Sequence, residues 1–262
     1  MRRGKRLLGL TEPGKELALI VDRILLDTQN IKKLGEQFSN TNKGQLSIAT
    51  THTQARYALP KPIAQFRSEF PDVQLVLHQA SPKEIAEMLL NGQADIGIAT
   101  ESLADNSEIP AFPFYSWHHG VVVPKGHALE KAKPLTLDAV AEWPIITNHE
   151  GFTGRPAIDE TFAKAKLAPD IVMAALDADV IKTCIEVGIG VGIVASMAFE
   201  NDRDTDLRLL DSVHLFPQST SRIALRRGRF LRSFVYRFIE LCSAELTEKK
   251  LPTGTTTSEQ VD

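Results

Sequence analysis

Residues 45–99, QLSIATTHTQARYALPKPIAQFRSEFPDVQLVLHQASPKEIAEMLLNGQADIGIA, alternate between strand-like and helix-like hydrophobic spacing. Strands are predicted at Gln45–Thr50, Val73–Leu77 and Ala94–Ala99. Apolar residues recur at helical spacing between the strands, in Ala58–Phe70 and Pro82–Leu90. Strands separated by helices of this length predict βαβ units, right-handed crossovers and a mainly parallel sheet.

A second series of the same kind starts near residue 120. Its strands are predicted at Gly120–Val123, Pro144–Thr147, Ile171–Ala175 and Gly188–Val194, and its helices at Leu137–Trp143, Arg155–Lys166 and Val180–Val187. A strand at Ser221–Leu225 and a helix at Phe230–Leu246 follow. This order predicts an α/β fold of two Rossmann-like lobes, in which the chain returns late to the first lobe.

Length and composition agree with two lobes, since 262 residues suit two cores of roughly 100 residues each. A net charge of −3 argues against a generic polyanion binder. The two cysteines, Cys184 and Cys242, fall on apolar helix faces and suit inert thiols in a reducing compartment. Because the chain lacks an apolar run of signal-peptide or membrane-spanning length, we expect a cytoplasmic protein without membrane contact.

The first 43 residues combine a basic cluster with one long helix. The cluster, RRGKR at residues 2–6, suits either phosphate contacts or a solvated end. From Leu17 to Phe38 apolar residues recur in a seven-residue pattern, which fits either a partner helix or packing on the chain's own body. At the other end, residues 252–262 contain one apolar residue, Val261, and are expected to form a disordered tail.

Hydroxyl-bearing side chains follow several predicted strands, at the edge where open α/β sheets bind ligands. Thr51, Thr53 and Gln54 come after the first strand, Thr100 after the third, and Thr153 lies in the GFTGR loop at 151–155. Such neutral donors, together with free N–H groups at helix starts, can hold an oxyanion without a counter-charge. The simpler interpretation is that the threonines cap helices. Three such places in two lobes favour a ligand cleft between the lobes.

Catalytic and metal-binding patterns are not found. The seven histidines lack the spacing of a helical zinc pair, and no Gly-x-Ser-x-Gly elbow or Walker lysine motif occurs. We therefore expect no catalytic residue, no metal and no cofactor, and a chain that is not an enzyme. Trp117 lies where the chain leaves the first lobe, so it suits a wall of the cleft, a core position or a hinge.

Several motifs resemble the CysB-like branch of the LysR-type transcriptional regulators. RRGKR at 2–6 with TEPG at 11–14 is similar to the family's junction between DNA-binding wing and linker helix. The strings IATTHTQARY at 48–57, GQADIGIA at 92–99, WHH at 117–119, GFTGR at 151–155 and DVIKT at 179–183 resemble its effector domain. The resemblance runs from about Arg2 to about Leu246.

The resemblance implies a type II periplasmic-binding-protein-like fold preceded by a long linker helix. It implies a remnant of the wing at 1–10, a linker helix and linker at 11–43, a first lobe at 44–116 plus 218–250, a second lobe at 117–217 and a tail at 251–262. It also implies that a sulfate-like anion or an acetylserine inducer binds in the interlobe cleft. The implied ligand-binding residues are Thr51, Thr53, Gln54, Thr100, Trp117 and Thr153.

The implied function is the effector-sensing part of a regulator of sulfur assimilation and cysteine biosynthesis. The implied partners are the small effector, further copies of the chain through the linker helix and effector lobes, and promoter DNA for the full-length family member. The family's base-reading helices would precede Arg2 and are missing here, so from this chain we expect at most wing-like phosphate contacts. The alternative is a solute-binding protein for a small oxyanion, which would share the fold.

Overall fold

Two five-stranded sheets form the two lobes of this computed structural model, which describes residues 9–39, 42–100, 106–152 and 154–251 and the strand backbone at 2–3 and 6–7. In the first sheet the strand order is β4-β3-β5-β12-β6, and in the second it is β11-β7-β10-β8-β9. The first sheet comprises β3 (Gly44–Thr50), β4 (Val73–Gln79), β5 (Ile96–Ala99), β6 (Ala111–Trp117) and β12 (Ser219–Ala224). The second comprises β7 (His119–Pro124), β8 (Ile145–Asn148), β9 (Ile171–Ala175), β10 (Val191–Ala195) and β11 (Leu207–Leu209).

Seven α-helices accompany the sheets in the described part of the chain. They are α1 (Glu12–Ser39), α2 (Pro60–Glu69), α3 (Pro82–Leu90), α4 (Leu137–Ala141), α5 (Arg155–Lys164), α6 (Ala178–Glu186) and α7 (Ser233–Cys242). Local chemistry sets their ends: Ser81 and Glu84 form a capping box at the start of α3, and the Asp177 side chain caps α6. The short strands Arg2–Arg3 (β1) and Arg6–Leu7 (β2) pair antiparallel.

In each sheet four of the five strands run in the same direction, as the prediction of a mainly parallel sheet requires, and one strand is reversed. Strands β3, β4 and β5 pair in parallel, as do β8, β9 and β10. Strand β12 runs antiparallel to β5 and β6, and β7 runs antiparallel to β10 and β11. Each reversed strand is the first one that the chain forms after crossing from the other sheet. A parallel strand needs a crossover connection, usually a helix, and none directly precedes either reversed strand. Strands β6 and β11 are absent from the sequence-based prediction.

The two crossings between the sheets lie side by side. Strand β6 ends at Trp117 and β7 begins at His119, while the return crossing ends where β12 begins at Ser219. Trp117 and Ser219 are register partners in the first sheet. Two adjacent crossings are the arrangement that lets two lobes close over a ligand by small backbone changes.

An aromatic cluster joins α2 and α7 over the first sheet. The Phe66 ring is fully buried, and its centroid lies 5.0 Å from that of Phe70 and 5.5 Å from that of Phe238. Leu251 is buried in the same core, which corrects its assignment to the tail; residues 252–262 lie outside the described residues. Cys242 packs against this core, and burial raises the pKa of its thiol to about 12.

Helix α1 buries none of its residues against the lobes. Leu17, Ile24, Ile31 and Phe38 of the seven-residue pattern are exposed, Phe38 by 85%. The helix instead contacts the first lobe through polar side chains: Asn30 bonds the backbone of Gly228 and Phe230, and Gln37 bonds Ser233. The sequence left two interpretations of the seven-residue pattern. The structure does not show the second, in which the apolar residues pack on the chain's own body.

Within the described part of the chain, no helix combines the length and the apolar character needed to cross a membrane.

Truncating the central aromatic ring should destabilise the first lobe. We expect Phe66→Ala to lower the free energy of unfolding by about 3–5 kcal/mol, because it removes apolar burial and leaves a cavity between α2 and α7. Urea unfolding followed by circular dichroism measures the change. Phe66→Leu fills more of the space and should cost clearly less; equal losses for both variants would contradict cavity formation as the cause.

Candidate ligand-binding site

The segment after β3 buries its polar side chains. Thr51 and Thr53 are each 2% exposed and Gln54 is fully buried. The sequence predicted a helix from Ala58 onwards. In the structure Gln54–Ala58 forms a single π-helical turn, closed by the Leu59 amide on the Gln54 carbonyl at 3.1 Å, before α2 begins at Pro60. Such turns are rare and often occur at functional sites.

The hydroxyl of Ser221 connects three of the predicted site residues. Gln54 Nε2 lies 2.9 Å from Ser221 Oγ, Trp117 Nε1 3.1 Å and Thr100 Oγ1 3.2 Å. Ser221 is fully buried on β12, at the centre of this group. The structure thus gathers residues from four separate parts of the first lobe around one oxygen atom.

The chemistry of these groups assigns the direction of the hydrogen bonds that Ser221 accepts. The amide N–H of Gln54 and the indole N–H of Trp117 can only donate, so they occupy both lone pairs of Ser221 Oγ. The Ser221 hydrogen is then left for Thr100 Oγ1 or for Tyr115, which also forms a hydrogen bond with Ser221. Because both lone pairs of Ser221 are occupied, the Thr100 hydroxyl hydrogen has no acceptor within this group. Tyr115 donates to Gln54 Oε1 and thereby fixes the orientation of that amide.

Ser221 and Tyr115 are site residues that sequence reasoning missed. Both belong to strands, β12 and β6, that meet only because the chain returns to the first sheet. One local signal exists: Ser219 and Ser221 occupy inward positions of β12, where an apolar residue is usual. Thr50, the last residue of β3, is a further buried hydroxyl, and its Oγ1 has no hydrogen-bond partner among the described residues.

The GFTGR loop of the second lobe lies against Trp117 of the first lobe. Thr153 lies outside the described residues. Its neighbour Gly154 has a left-handed backbone, with φ of 72°, and a Cβ there would collide with the ring of His119 and lie 3.1 Å from Trp117 Cη2. Glycine is therefore required at this contact. Arg155, the last residue of the GFTGR string, bonds Asp159 at 2.7 Å and the Asn148 carbonyl at 2.8 Å.

Direct contacts hold the two lobes together beside this group. Tyr57 OH donates to Asp179 Oδ1 at 2.6 Å, and Arg56 Nε lies 2.8 Å from Asp179 Oδ2. The Tyr57 ring packs against the core of the second lobe. Burial disfavours the Asp179 carboxylate, but hydrogen bonds from Tyr57 and Lys182 outweigh it, so the pKa of Asp179 is below its ordinary value. Asp179, in this contact between the lobes, is therefore ionised at neutral pH.

No cluster of His, Cys, Asp or Glu side chains in the described ranges could hold a metal ion. Two carboxylates near strand and helix ends have structural partners: Asp177 caps α6, and Asp95 pairs with Lys33 and Arg229. The arrangement supplies buried, uncharged hydrogen-bond donors, a chemistry that suits binding of a small anion.

Tyrosine ionisation offers a spectroscopic test of the burial of Tyr57 and Tyr115. The chain has three tyrosines, and burial raises the pKa of Tyr57, Tyr115 and Tyr236 each to about 12. We expect tyrosinate absorbance at 295 nm to appear in the folded protein only near pH 12, rather than near pH 10 as in urea. Because the folded pKa values are raised, the stabilisation is complete below pH 10 and is lost as pH rises towards 12. A folded-state transition near pH 10, with Tyr57→Phe removing it, would contradict burial of Tyr57.

The chain is similar to a set of transcriptional regulators along nearly its whole length. Residues 39–247 match the family described as the LysR substrate binding domain. The chain is 54% identical to the HTH-type transcriptional regulator SsuR of Burkholderia cenocepacia over 96% of this chain and 82% of that protein. It is 49% identical to the HTH-type transcriptional regulator cbl of Escherichia coli, over 94% and 78%. CysB of Burkholderia cenocepacia is 48% identical, over 95% and 79%.

A solved structure shares the fold and much of the sequence. The crystal structure of the cofactor-binding domain of the Cbl transcriptional regulator superposes with a TM-score of 0.77 at 48% identity, covering 80% of this chain and 92% of that one. HinK of Pseudomonas aeruginosa, at 19% identity, shares the fold over 92% of this chain with a TM-score of 0.69. These likenesses confirm the predicted effector-domain fold with its preceding helix, and the relatives regulate transcription and are not enzymes. The chain therefore belongs to the LysR family of transcriptional regulators, in the group that contains SsuR, Cbl and CysB.

Proposed function

We propose that this chain senses a sulfate-like anion or an acetylserine for a regulator of sulfur assimilation and cysteine biosynthesis. The effector would bind between the lobes, to Thr51, Thr53, Gln54, Thr100, Trp117 and Thr153. The observation that carries the proposal is the hydrogen-bond group around Ser221, which orients buried neutral donors. The identity to SsuR, Cbl and CysB supports a sulfur-related role and disfavours a solute-binding protein for transport.

The donor set matches the chemistry of a small oxyanion. Sulfate at neutral pH offers only acceptor oxygens, and the free hydrogen of Thr100 and the second N–H of Gln54 are donors. Hydrogen bonds to a charged group contribute about 1.5–3 kcal/mol each, so several neutral donors can bind an anion without a cationic side chain. The carboxylate of an acetylserine offers the same acceptors.

The lobe contact gives a basis for response to the effector. Arg56 and Tyr57 follow Gln54 closely in the sequence of the first lobe. Both side chains bond Asp179 of the second lobe. A ligand that contacts both lobes favours the closed arrangement by as much as it binds that arrangement better. The interlobe angle is then the quantity that the effector changes.

A short strand connects the site to the linker helix. Asp95 directly precedes strand β5, and Thr100 directly follows it. The buried Asp95 carboxylate accepts hydrogen bonds from Lys33 of α1, from Arg229 Nη2 at 3.0 Å and from the Ser47 amide at 2.9 Å. The charges of Lys33 and Arg229 overcome the effect of burial, so the pKa of Asp95 is below its ordinary value. We propose that this anchor transmits lobe movement to α1.

The remaining parts of the proposal concern assembly. The exposed apolar stripe of α1 would pair with another copy of the chain, and the lobes would add further contacts. Because Trp117 ends strand β6 of the first sheet, the organisation would be a wing remnant at 1–10, a linker at 11–43, a first lobe at 44–117 with 218–251, and a second lobe at 118–217. Promoter DNA would be bound by the full-length regulator, in the cytoplasm.

Removing two hydroxyl donors should abolish the response to sulfate. Ligand at a hundredfold excess over Kd stabilises a protein by about 2.7 kcal/mol, which raises Tm by several degrees. We expect the double variant Thr53→Val, Thr100→Val to show no sulfate-dependent rise in Tm, measured by differential scanning calorimetry. Thr161→Val removes a hydroxyl that bonds only the Ala157 carbonyl on α5, and this control should keep the full rise. A double variant that responds like the wild type would refute the site.

Breaking the anchor should uncouple α1 without affecting effector binding. In Lys33→Met, Asp95 keeps Arg229 and Ser47, so we expect the sulfate-dependent rise in Tm to remain. Hydrogen exchange of the α1 amides should become about tenfold faster and independent of sulfate. Lys32→Met on the exposed side of α1 is the matched control and should behave as the wild type. A sulfate-dependent exchange change in Lys33→Met equal to that of the wild type would contradict the coupling.

A further inference from the structure

Asn148, the last residue of β8, buries an amide that has no hydrogen bond. The residue is 1% exposed, and neither Nδ2 nor Oδ1 has a partner among the described residues. Its carbonyl, in contrast, accepts a bond from Arg155 Nη1 at 2.8 Å. A buried amide left without partners disfavours folding, and nearly all such groups in native proteins are satisfied. This one therefore points to a partner that the described residues do not supply.

The position of Asn148 places it where the lobes meet. Side chains two apart on a strand share a face, so Asn148 lies on the face of Ile146. Ile146 belongs to the core cluster onto which Tyr57 of the first lobe packs. Asn148 is one step nearer the carboxyl edge of the sheet, and the loop leading to Gly154 and Trp117 begins immediately after it. This is the edge at which ligands bind in open α/β sheets.

We infer that Asn148 is a specificity-determining residue that selects effectors carrying an N–H group. This inference rests on the proposed function of the same cleft. An amide presents a donor and an acceptor side by side, and a ligand must match both. An acetylserine supplies an N–H hydrogen for Oδ1 and an oxygen acceptor for Nδ2.

Sulfate matches only half of the Asn148 amide. It has acceptor oxygens for Nδ2, but no hydrogen for Oδ1, which stays buried and unpaired. Sites built to bond a polar group reject analogues that lack its counterpart. The threonine and glutamine donors of the first lobe would accept either ligand, whereas Asn148 distinguishes them.

The decisive variant is Asn148→Leu, which replaces the amide by an apolar side chain of similar size. We expect the Kd for N-acetylserine, measured by isothermal titration calorimetry on the full chain, to rise at least tenfold. The Kd for sulfate should change by less than about threefold. Because the variant removes two unsatisfied groups from the empty protein, its ligand-free Tm should rise rather than fall. Asn148→Ala should show the same selectivity if the leucine variant does not fold.

The control is Thr147→Val at the neighbouring position. The Thr147 hydroxyl is also buried, but it bonds the Ile193 carbonyl at 2.7 Å, so its loss should lower Tm and leave the ratio of the two Kd values unchanged. A fall in the Tm of Asn148→Leu with both affinities retained would assign Asn148 a structural role and overturn the inference. Equal loss of both affinities would also overturn it, since an internal water or a general site defect would act on both ligands. Wild-type protein that binds neither ligand would instead refute the proposed function itself.

Discussion

Ser221 Oγ accepts hydrogen bonds from Gln54 and Trp117 and forms a further one with Thr100, and the geometry of the candidate site depends on this single oxygen atom. Its two lone pairs are both occupied by the N–H donors of Gln54 and Trp117, so Ser221 has no lone pair left for a third donor. The consequence is preorganisation: Gln54 and Thr100 each retain a hydrogen that has no acceptor within the group. Donors fixed in this way lose little conformational freedom when an anion binds, which favours affinity.

The same segment also carries the contact between the lobes. Residues 51–57 bury Thr51, Thr53 and Gln54 and bring Arg56 and Tyr57 to Asp179. Because the proposed binding residues and the lobe contact lie on seven consecutive residues, a ligand held by the first part would change the environment of the second. The two chain crossings at Trp117 and Ser219 lie side by side, which is the arrangement that a hinge between the lobes would need.

Helix α1 differs from the other helices because its contact with the lobes is polar. Asn30, Lys33 and Gln37 face the segment from Gly228 to Ser233 and Asp95, while the apolar stripe remains exposed. The exposed hydrogen bonds of Asn30 and Gln37 exchange readily with water and contribute little net free energy. The pair of Lys33 with the buried Asp95 carboxylate is costlier to break, so it is the contact that ties α1 to the first lobe.

Much of this organisation follows from the sequence alone. Hydrophobic spacing determines where most strands and helices begin and end, since a period of two or 3.6 residues reflects local backbone geometry. The hydroxyls after strand ends, at Thr51, Thr53 and Thr100, follow from the same pattern, and the motif resemblance adds Trp117 and the family. The tertiary structure decided what depends on residues far apart in sequence. Ser221 lies 167 residues from Gln54, and Asp179 lies 122 residues from Tyr57. The reversal of β7 and β12, the anchor at Asp95 and the unpaired amide of Asn148 likewise arise only when distant strands meet, because spacing along a chain carries no information about which strands become neighbours.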